Sequence, residues 1–306
     1  MNILITGGAG FIGSHLADYL LKAGHNITIF DDLSSGKIEN ISKECKLIVG
    51  DINDANILEK TFDKIDFCYH LAAIPSVQKS IDNWLACHKV NLTGTINVFL
   101  EAAKRKIPVI YASSAAVYGN STQMPLSEEN IGKFISPYGV DKYTSELQAS
   151  VFAHCYGLKS IGFRFFNVYG QRQDPNSPYS GVISIFINKL QNNKPLNIYG
   201  DGTQERDFIF IDDVVKCLAL AKDYISVEPQ IYNLGIGYGT PLNYLIKTLF
   251  QAVGHEVKLN YLSAREGDIY KSISNPEKVE KNLGFKASIK LSEGIASLIK
   301  PLIKNS

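Results

Sequence analysis

The chain begins with a short apolar run and a glycine-rich turn, Asn2-Ile3-Leu4-Ile5-Thr6-Gly7-Gly8-Ala9-Gly10-Phe11-Ile12-Gly13. The spacing Gly7-x-x-Gly10-x-x-Gly13 falls between a predicted strand and a predicted helix. Glycine permits a tight turn, lets the backbone approach a pyrophosphate, and lets the strand and helix pack closely. The first turn of the helix then offers unpaired N–H groups to phosphate oxygens. This stretch predicts a dinucleotide site.

An acidic residue strengthens that interpretation, because glycine turns after strands are common in proteins that bind no dinucleotide. The second predicted strand ends at Phe30-Asp31. A carboxylate at this position accepts hydrogen bonds from both ribose hydroxyls and repels a 2′-phosphate. We therefore expect the cofactor to be NAD rather than NADP.

The first half of the chain alternates short apolar runs with longer amphipathic stretches, which predicts an α/β fold: a Rossmann-type, doubly wound parallel sheet with helices on both faces. The predicted strands are Asn2–Thr6, Ile27–Phe30, Leu47–Val49, Phe67–Leu71 and Val109–Ala112. The predicted helices are Ile12–Lys22, Asn56–Phe62, Leu85–Arg105 and Tyr138–Tyr156.

The character of the sequence changes after residue 170, where Pro, Asn, Ser and Gly become frequent. We expect residues 1–170 to form the dinucleotide-binding domain and residues 171–306 to form mainly a smaller α/β substrate lobe. Phe208–Ile211 and Ile231–Leu234 again look like buried strands. Segments near 205–235 are therefore expected to return to the first domain.

Bulk composition excludes several partners. The 306 residues carry 31 Lys plus Arg against 30 Asp plus Glu, so no charge excess favours nucleic acid or an anionic membrane. No apolar run approaches the roughly 20 residues that span a bilayer. The five cysteines lie far apart without a C-x-x-C pair, which indicates reduced thiols rather than zinc ligands or disulfides. We expect a soluble cytoplasmic enzyme.

A second motif predicts the catalytic group. Tyr138 and Lys142 lie four residues apart, on one face of a predicted helix. The strand from Val109 ends at Ser113 and Ser114, and ligands of open α/β sheets bind beyond the carboxyl ends of strands. Alone, the tyrosine is compatible with an amphipathic surface helix and the serines with an ordinary turn. Combined with the glycine turn, they indicate a specific site.

The expected chemistry is proton and hydride transfer. A free tyrosine has a pKa near 10, too high for ionisation at neutral pH. We expect the ammonium of Lys142 and a positively charged nicotinamide ring to lower the pKa of Tyr138. Tyr138 then removes a hydroxyl proton while the same carbon gives hydride to NAD. Ser114 orients the substrate oxygen.

At this point the chain resembles the extended short-chain dehydrogenase/reductase family over nearly its whole length, and within it the bacterial UDP-N-acetylglucosamine and UDP-glucose 4-epimerases. The matching stretches are Thr6–Gly13, His70-Leu71-Ala72-Ala73, Asn91 with Gly94-Thr95, the Ser114–Tyr138–Lys142 set, Arg164–Gly170 and Gly200–Phe208. Two further stretches support the narrower match, Tyr143–Leu147 and Gln173-Asp174-Pro175-Asn176.

The resemblance implies roles for residues that spacing alone does not identify. It implies cofactor contacts from Gly7, Gly10, Phe11, Ile12, Gly13, Asp31, Asp51, Ile52, Leu71, Ala72, Ala73, Asn91, Tyr138, Lys142 and Phe165. It implies UDP-sugar contacts from Ser114, Asn167, Tyr199, Arg206, Arg265, Asp268 and Ser272. Taken alone, the charged residues of the second set are equally compatible with plain surface charge. No metal is implied.

Two departures from sibling families narrow the reaction. Dehydratases of nucleotide sugars carry an Asp-Glu pair directly after the active-site hydroxyl residue, and UDP-glucuronate decarboxylases carry a Glu at the second of these positions. Here the two positions are Ala115 and Ala116. The resemblance therefore favours an epimerase, which oxidises C4 to a transient 4-keto sugar and reduces it on the opposite face.

The sugar is indicated by Ser272. Relatives restricted to glucose and galactose carry a tyrosine there, and those that accept N-acetyl sugars carry a small residue. We expect the pair UDP-N-acetylglucosamine and UDP-N-acetylgalactosamine, with UDP-glucose or UDP-glucuronate as the alternative. An ordinary loop serine remains compatible with the sequence, as does a non-catalytic NAD-sensing regulator on the same fold.

A homodimer is also expected. The predicted helices Leu85–Arg105 and Tyr138–Tyr156 carry more apolar surface than one face of a sheet covers. Relatives pair two such helices across a two-fold axis in a four-helix bundle.

Overall fold

A computed structural model gives the structure of the protein and describes residues 1–175, 181–264 and 267–303. Its strands are β1 (Asn2–Thr6), β2 (Asn26–Asp31), β3 (Lys46–Val49), β4 (Phe67–His70), β5 (Val109–Ser114), β6 (Ser160–Phe165), β7 (Asn167–Tyr169), β8 (Leu196–Tyr199), β9 (Glu205–Arg206), β10 (Phe208–Phe210), β11 (Gln230–Leu234), β12 (Thr240–Pro241), β13 (Leu259–Leu262) and β14 (Lys271–Ser272). Its helices are α1 (Phe11–Lys22), α2 (Ala55–Thr61), α3 (Val77–Asp82), α4 (Trp84–His88), α5 (Gly94–Lys104), α6 (Pro137–Tyr156), α7 (Val182–Gln191), α8 (Ile211–Ala221), α9 (Leu242–Val253), α10 (Glu277–Leu283) and α11 (Leu291–Ile303).

A seven-stranded parallel sheet forms the centre of the molecule, in the order β11-β6-β5-β4-β1-β2-β3. Both faces are covered, so the strands are apolar on both sides. In β1, Ile3 and Ile5 pack into the core on one face of the sheet, and Leu4 packs into the core on the other. The doubly wound parallel sheet expected from the sequence is confirmed, and the order reverses beside β1, where the glycine turn begins.

The five predicted strands and four predicted helices of the first half are all present, with ends shifted by one or two residues. The largest difference is in the segment expected as one helix over Leu85–Arg105. It is formed by α4, a π-helical turn over Lys89–Thr93, and α5. The π-turn contains Asn91, whose buried side chain bonds to the backbone of Ile74, and such turns often accompany functional sites.

The second half adds three small sheets beyond the carboxyl edge of the central one. They pair β7 with β10, β8 with β13, and β12 with β9 and β14. Ile231–Leu234 lies in β11 at the edge of the central sheet, as expected. The expectation for Phe208–Ile211 is only partly met, because β10 pairs with β7 outside the central sheet and Ile211 begins α8, which packs on α1.

Two predicted features fall outside the described residues. Arg265 and part of the polar segment after residue 170, residues 176–180, belong to the undescribed ranges. Among the described helices, none is long and apolar enough to cross a membrane.

Candidate active site

Most of the expected cofactor residues follow the carboxyl ends of neighbouring strands in the central sheet. Crossing the edge from β3 to β6, the structure places Asp51 and Ile52 after β3, Asp31 at the end of β2, Gly7 to Gly13 after β1, Leu71 to Ala73 after β4, Ser114 at the end of β5, and Phe165 at the end of β6. One edge therefore presents these residues in a row, along which an extended dinucleotide fits. The other expected cofactor residues lie on helical segments, Asn91 in the π-turn and Tyr138 and Lys142 on α6.

The glycine turn is compact enough to exclude larger residues. Gly7 has φ +70°, and a Cβ there would lie 2.6 Å from the backbone nitrogen of Ala72. A Cβ on Gly13 would lie 2.3 Å from the carbonyl oxygen of Gly7. Gly10 caps α1 and supplies no side-chain hydrogen bond, so the first-turn N–H groups of Phe11 and Ile12 are left to a ligand. These residues fit the pyrophosphate of a dinucleotide.

Asp31 is fixed in place beside that turn. Its Oδ2 accepts a hydrogen bond from the Ala9 nitrogen at 2.9 Å, and its Oδ1 accepts one from the Leu33 nitrogen at 2.9 Å. Burial raises the pKa of this carboxyl, and the two backbone hydrogen bonds oppose that rise. Gly36 approaches so closely that a Cβ there would lie 2.8 Å from Oδ1. The carboxylate has little room to move, as a ribose acceptor requires.

A series of buried hydrogen bonds runs from Thr6, next to the glycine turn, through His70 and Thr95 to Asn91. The His70 ring contacts Thr6 Oγ1 at 2.7 Å through Nδ1 and Thr95 Oγ1 at 2.9 Å through Nε2. Burial, with a smaller contribution from the Lys142 charge, lowers the pKa of His70 to about 3, so the imidazole is neutral. Thr95 in turn donates to the carbonyl of Asn91. Asn91 is fully buried, so its side chain holds the loop at Ile74 rather than pointing into open space.

The predicted catalytic set is brought together at the end of β5. Ser136 caps α6 and Pro137 occupies its first turn, which places Tyr138 at the start of the helix. The Ser114 side chain makes a hydrogen bond with Tyr138 that lowers the pKa of the phenol. The Nζ of Lys142 donates to the Ala112 carbonyl at 2.9 Å and lies 6.0 Å from the centre of the Tyr138 ring.

The protein groups alone, without NAD, hold the pKa of Tyr138 above its ordinary value. Burial raises the pKa of Tyr138 to about 12, outweighing the Ser114 hydrogen bond. The same burial lowers the pKa of Lys142 to about 8, against the opposing charge of Asp141. A buried phenolate loses its solvation, and favourable charges near Tyr138 must overcome this cost.

The small residues after Ser114 form a short 3-10 turn over Ala115–Tyr118. The Ser114 Oγ accepts a hydrogen bond from the Ala116 nitrogen at 3.1 Å. The Ala116 carbonyl lies so close to α6 that a Cβ on Gly139 would be 2.5 Å from it. Gly139 therefore lets the turn after Ser114 pack directly beside Tyr138.

Three of the residues expected to bind the UDP-sugar lie in or next to the small sheet of β9, β12 and β14, namely Arg206, Asp268 and Ser272. Arg206 in β9 pairs through Nη2 with Asp268 Oδ1 at 2.8 Å. Ser272 in β14 is the cross-strand neighbour of Arg206 and is half-buried. The arginine, the acid and the serine are thus brought together. Burial lowers the pKa of Arg206, partly offset by Asp268.

Tyr199 and Asn167 lie on other strands. Tyr199 ends β8 half-buried, and its carbonyl accepts from Gln204 Nε2 at 3.0 Å. Asn167 begins β7 with an exposed side chain, and its backbone nitrogen donates to the Asp207 carbonyl at 2.9 Å. Asn167 thus lies in the small sheet that β7 forms with β10, and Tyr199 in the one that β8 forms with β13.

Sequence reasoning missed a buried ion pair behind the catalytic set. Glu146 of α6 receives two hydrogen bonds from Arg164 of β6, at 2.9 and 2.6 Å, and one from Ser113 at 2.5 Å. A signal was present, because Tyr138, Lys142 and Glu146 repeat every four residues along one helix face. The partner strand could not be read from that spacing.

Comparisons with known proteins agree with this geometry. The model of the NAD dependent epimerase/dehydratase family matches residues 3–235. A putative UDP-glucose 4-epimerase of Methanocaldococcus jannaschii is 36% identical over 307 residues, covering 99% of each chain. The structure of Thermotoga maritima UDP-glucose 4-epimerase with UDP-glucose is 35% identical with a TM-score of 0.95, covering 100% of this chain and 99% of that one. The UDP-N-acetylglucosamine 4-epimerase of Methanobrevibacter ruminantium, in complex with UDP-N-acetylmuramic acid, is 35% identical with a TM-score of 0.93 and the same coverage.

These matches extend over nearly the whole chain, including the glycine turn, Asp31 and the Ser114–Tyr138–Lys142 set. The fold and the expected cofactor NAD are both confirmed. By its sequence and by the arrangement of its sheet edge, the chain belongs to the NAD dependent epimerase/dehydratase family.

Proposed function

We propose that the protein is an NAD-dependent 4-epimerase that interconverts UDP-N-acetylglucosamine and UDP-N-acetylgalactosamine. The observation that carries the proposal is the Ser114–Tyr138 hydrogen bond at the cofactor edge, flanked by Ala115 and Ala116. In the Ser114–Tyr138 pair, the phenol of Tyr138 is the one group proposed to exchange a proton with the sugar. Ala115 and Ala116 have no group that can donate or accept a proton. The reaction is therefore limited to oxidation and reduction at one carbon, without loss of water or carbon dioxide.

Tyr138 exchanges the proton of the sugar hydroxyl at its Oη, and Ser114 Oγ holds the same sugar oxygen in place. When bound, NAD supplies reversible hydride acceptance at that carbon and a positive ring charge. The positive charge opposes the burial that otherwise holds the pKa of Tyr138 at about 12. Lys142 is held by Ala112 at a distance that adds to this effect when it is protonated.

The nucleotide end of the substrate is assigned to the second-half residues. The planar guanidinium of Arg206 suits two diphosphate oxygens at once, and Arg265 is proposed to share this role. Asp268 is proposed to bind the uridine ribose and Tyr199 to lie near the uracil, with Asn167 beside the diphosphate. Asp268 therefore exchanges its ion pair with Arg206 for the ribose hydroxyls when substrate binds.

The acetamido specificity rests on Ser272. Its strand β14 pairs with β9. The next residue, Ile273, contacts a distant part of the chain, because its carbonyl accepts a hydrogen bond from the Leu126 nitrogen at 2.8 Å. Leu126 packs with Val117 and Tyr118 of the turn after Ser114. Ser272 thus stands between the arginine proposed for phosphate and the turn next to the catalytic pair, where a sugar substituent would lie.

One assay tests the proposal. Purified protein is incubated with UDP-N-acetylglucosamine, UDP-N-acetylgalactosamine, UDP-glucose and UDP-glucuronate, and the 4-epimers are separated. Conversion of the N-acetyl pair is expected. Conversion confined to UDP-glucose or UDP-glucuronate would move the substrate to the alternative, and NAD binding without any conversion would indicate an NAD-sensing regulator.

A homodimer is part of the proposal. Apolar side chains are exposed on α3, α4 and α6, namely Val77, Ile81, Trp84, Leu85, Val140, Leu147 and Val151. Leu85 is 82% exposed and Trp84 58%. An exposed apolar face of this kind suits a second copy across a two-fold axis. Light scattering at micromolar concentration is expected to give twice the monomer mass, and Leu147→Glu to reduce it; a monomer mass for the unaltered protein contradicts the dimer.

The reaction is proposed to take place in the cytoplasm. All five cysteines are free in the structure, and Cys68, Cys87 and Cys217 are buried. Free thiols persist in a reducing compartment.

A further inference from the structure

Three consecutive residues at the end of β5 are each bound by one residue of α6. The Ala112 carbonyl accepts from Lys142, the Ser113 hydroxyl donates to Glu146 at 2.5 Å, and the Ser114 side chain bonds to Tyr138. The three helix residues are spaced by four, so they lie on one face. Two of these contacts belong to the proposed catalytic set, and the third, Ser113–Glu146, has no role in it.

The Ser113–Glu146 contact is supported by further hydrogen bonds from a neighbouring strand. Ser113 and Arg164 are cross-strand neighbours in β5 and β6, and both bond to the Glu146 carboxylate. Arg164 donates to it through Nε at 2.9 Å and through Nη2 at 2.6 Å, in the two-pronged geometry that fixes orientation as well as distance. The side chains of Arg164 and Glu146 are only 4% and 5% exposed.

The third guanidinium nitrogen of Arg164, Nη1, reaches the turn that follows Ser114. Arg164 Nη1 donates to the Tyr118 hydroxyl at 3.0 Å and to the Glu128 carbonyl at 2.7 Å. Tyr118 in turn donates to Asn233 Oδ1 at 2.5 Å. The residues on both sides of Ser114 are thus bound to one buried ion pair. Such a pair is poor evidence for stability, because apolar residues of equal volume often stabilise a core as well or better. What it provides here is a fixed geometry.

We propose that Ser113 and Glu146, anchored by Arg164, are positioning residues that set α6 against the end of β5 and thereby hold the Ser114 Oγ and Tyr138 Oη in hydrogen-bonding contact. This inference rests on the proposed catalytic role of Ser114 and Tyr138. A misplacement of about 1 Å at a reacting group costs on the order of 100-fold in rate. Loss of one of several contacts is expected to cost a part of that.

Ser113→Ala tests the proposal, with Ser160→Ala as its matched control. Ser160 is a buried serine on β6 whose Oγ has no hydrogen-bond partner among the described residues. Ser113→Ala is expected to lower kcat by about 10-fold while KM for the UDP-sugar stays within about twofold. The control is expected to keep both values. Equal kcat in the two variants overturns the proposal.

The pH profile separates positioning from a merely structural role. The Ser114 hydrogen bond lowers the pKa of Tyr138, the general base, so loosening it moves the acidic limb of the kcat profile to higher pH in Ser113→Ala but not in Ser160→Ala. Ser113→Thr keeps the hydroxyl and is expected to restore kcat. A lower melting temperature with an unchanged kcat and profile would assign Ser113 to stability alone.

A second variant keeps the buried charge. Glu146→Asp retains a carboxylate for Arg164 but shortens its reach to Ser113, and it is expected to lower kcat as Ser113→Ala does. Measuring Tyr138→Phe in the same assay separates the two failures. If Tyr138→Phe keeps its rate, the proposed function is at fault; if it loses its rate while Ser113→Ala and Glu146→Asp do not, only the positioning proposal is overturned.

Discussion

The two ligand-facing regions of the molecule are built differently. At the end of β5, the proposed catalytic residues Tyr138 and Lys142 are buried, at 8% and 2% exposed, and lie beside a buried ion pair. In the second half, Arg206 and Asp268 have side chains that are 21% and 39% exposed. They stand on or beside strands only two residues long and hold each other.

Under the proposed function, this difference separates the residues of the reaction from those that select the substrate. A buried, fully bonded constellation keeps its geometry whichever sugar is present. An exposed ion pair contributes little to stability, so the exchange of Asp268 for a phosphate that is proposed for Arg206 would cost little. The two regions meet at residues 272–275, which pair with β9 on one side and with Leu126 on the other.

The largest expected effect falls on the buried region. Tyr138→Phe is expected to lower turnover by about 100-fold or more on every sugar that is converted, the loss typical of a positioned general base. NAD should remain bound, as absorbance measures, because its phosphate and ribose contacts lie elsewhere. Tyr143→Phe, the same change on the same helix, is the control. A near-normal rate in Tyr138→Phe would remove the catalytic assignment.

The next effect lies where the two regions meet and depends on the sugar. Ser272→Tyr is expected to lower conversion of UDP-N-acetylglucosamine by about 100-fold, because overpacking costs 1–3 kcal/mol and a phenol would fill the acetamido cavity. Any conversion of UDP-glucose should be spared. Ser272→Ala is the control and should keep both activities. If the tyrosine variant converts the N-acetyl sugar at the parent rate, the basis for the substrate assignment is lost.

The same division separates what the sequence predicts from what it does not. Six of the seven strands of the central sheet, the glycine turn and the Ser114–Tyr138–Lys142 set follow from periodicity and local spacing, whereas β6 was not predicted. Strands β9, β12 and β14 are too short to have a period, and they exist only because distant segments pair. The Glu146–Arg164 pair shows the same limit, since its partners are 18 residues apart on different elements.

The burial of Lys142 is expected to make the free energy of unfolding depend on pH. The folded pKa of Lys142 is about 8, against 10.5 in the unfolded chain, so the unfolded state binds more protons between these values and the cost of burying the charge fades as pH rises. From pH 8 to 10 this group alone adds about 2 kcal/mol to the free energy of unfolding.

Chemical denaturation of the protein and of Lys142→Met at pH 8 and pH 10 measures this contribution. Buried Cys68 and Cys217 have raised pKa values and act in the opposite direction in both proteins, so only the difference between the two is informative. The stability advantage of the methionine variant is expected to shrink by about 2 kcal/mol over this range. A constant difference would mean that Lys142 titrates near its ordinary value.

The smallest expected effect falls on the exposed region. Arg206→Lys keeps the positive charge but loses the planar fork that binds two phosphate oxygens. KM for the UDP-sugar is expected to rise by about 10-fold with kcat nearly unchanged, because the lost contact is equal in ground and transition states. Arg172→Lys is the matched control, since Arg172 also forms an exposed pair, with Asp18 at 2.6 Å, but on the α1 side of the molecule. A fall in kcat equal to the change in kcat/KM would contradict the separation, because it would mean that Arg206 acts on the reacting centre and that the two regions are one.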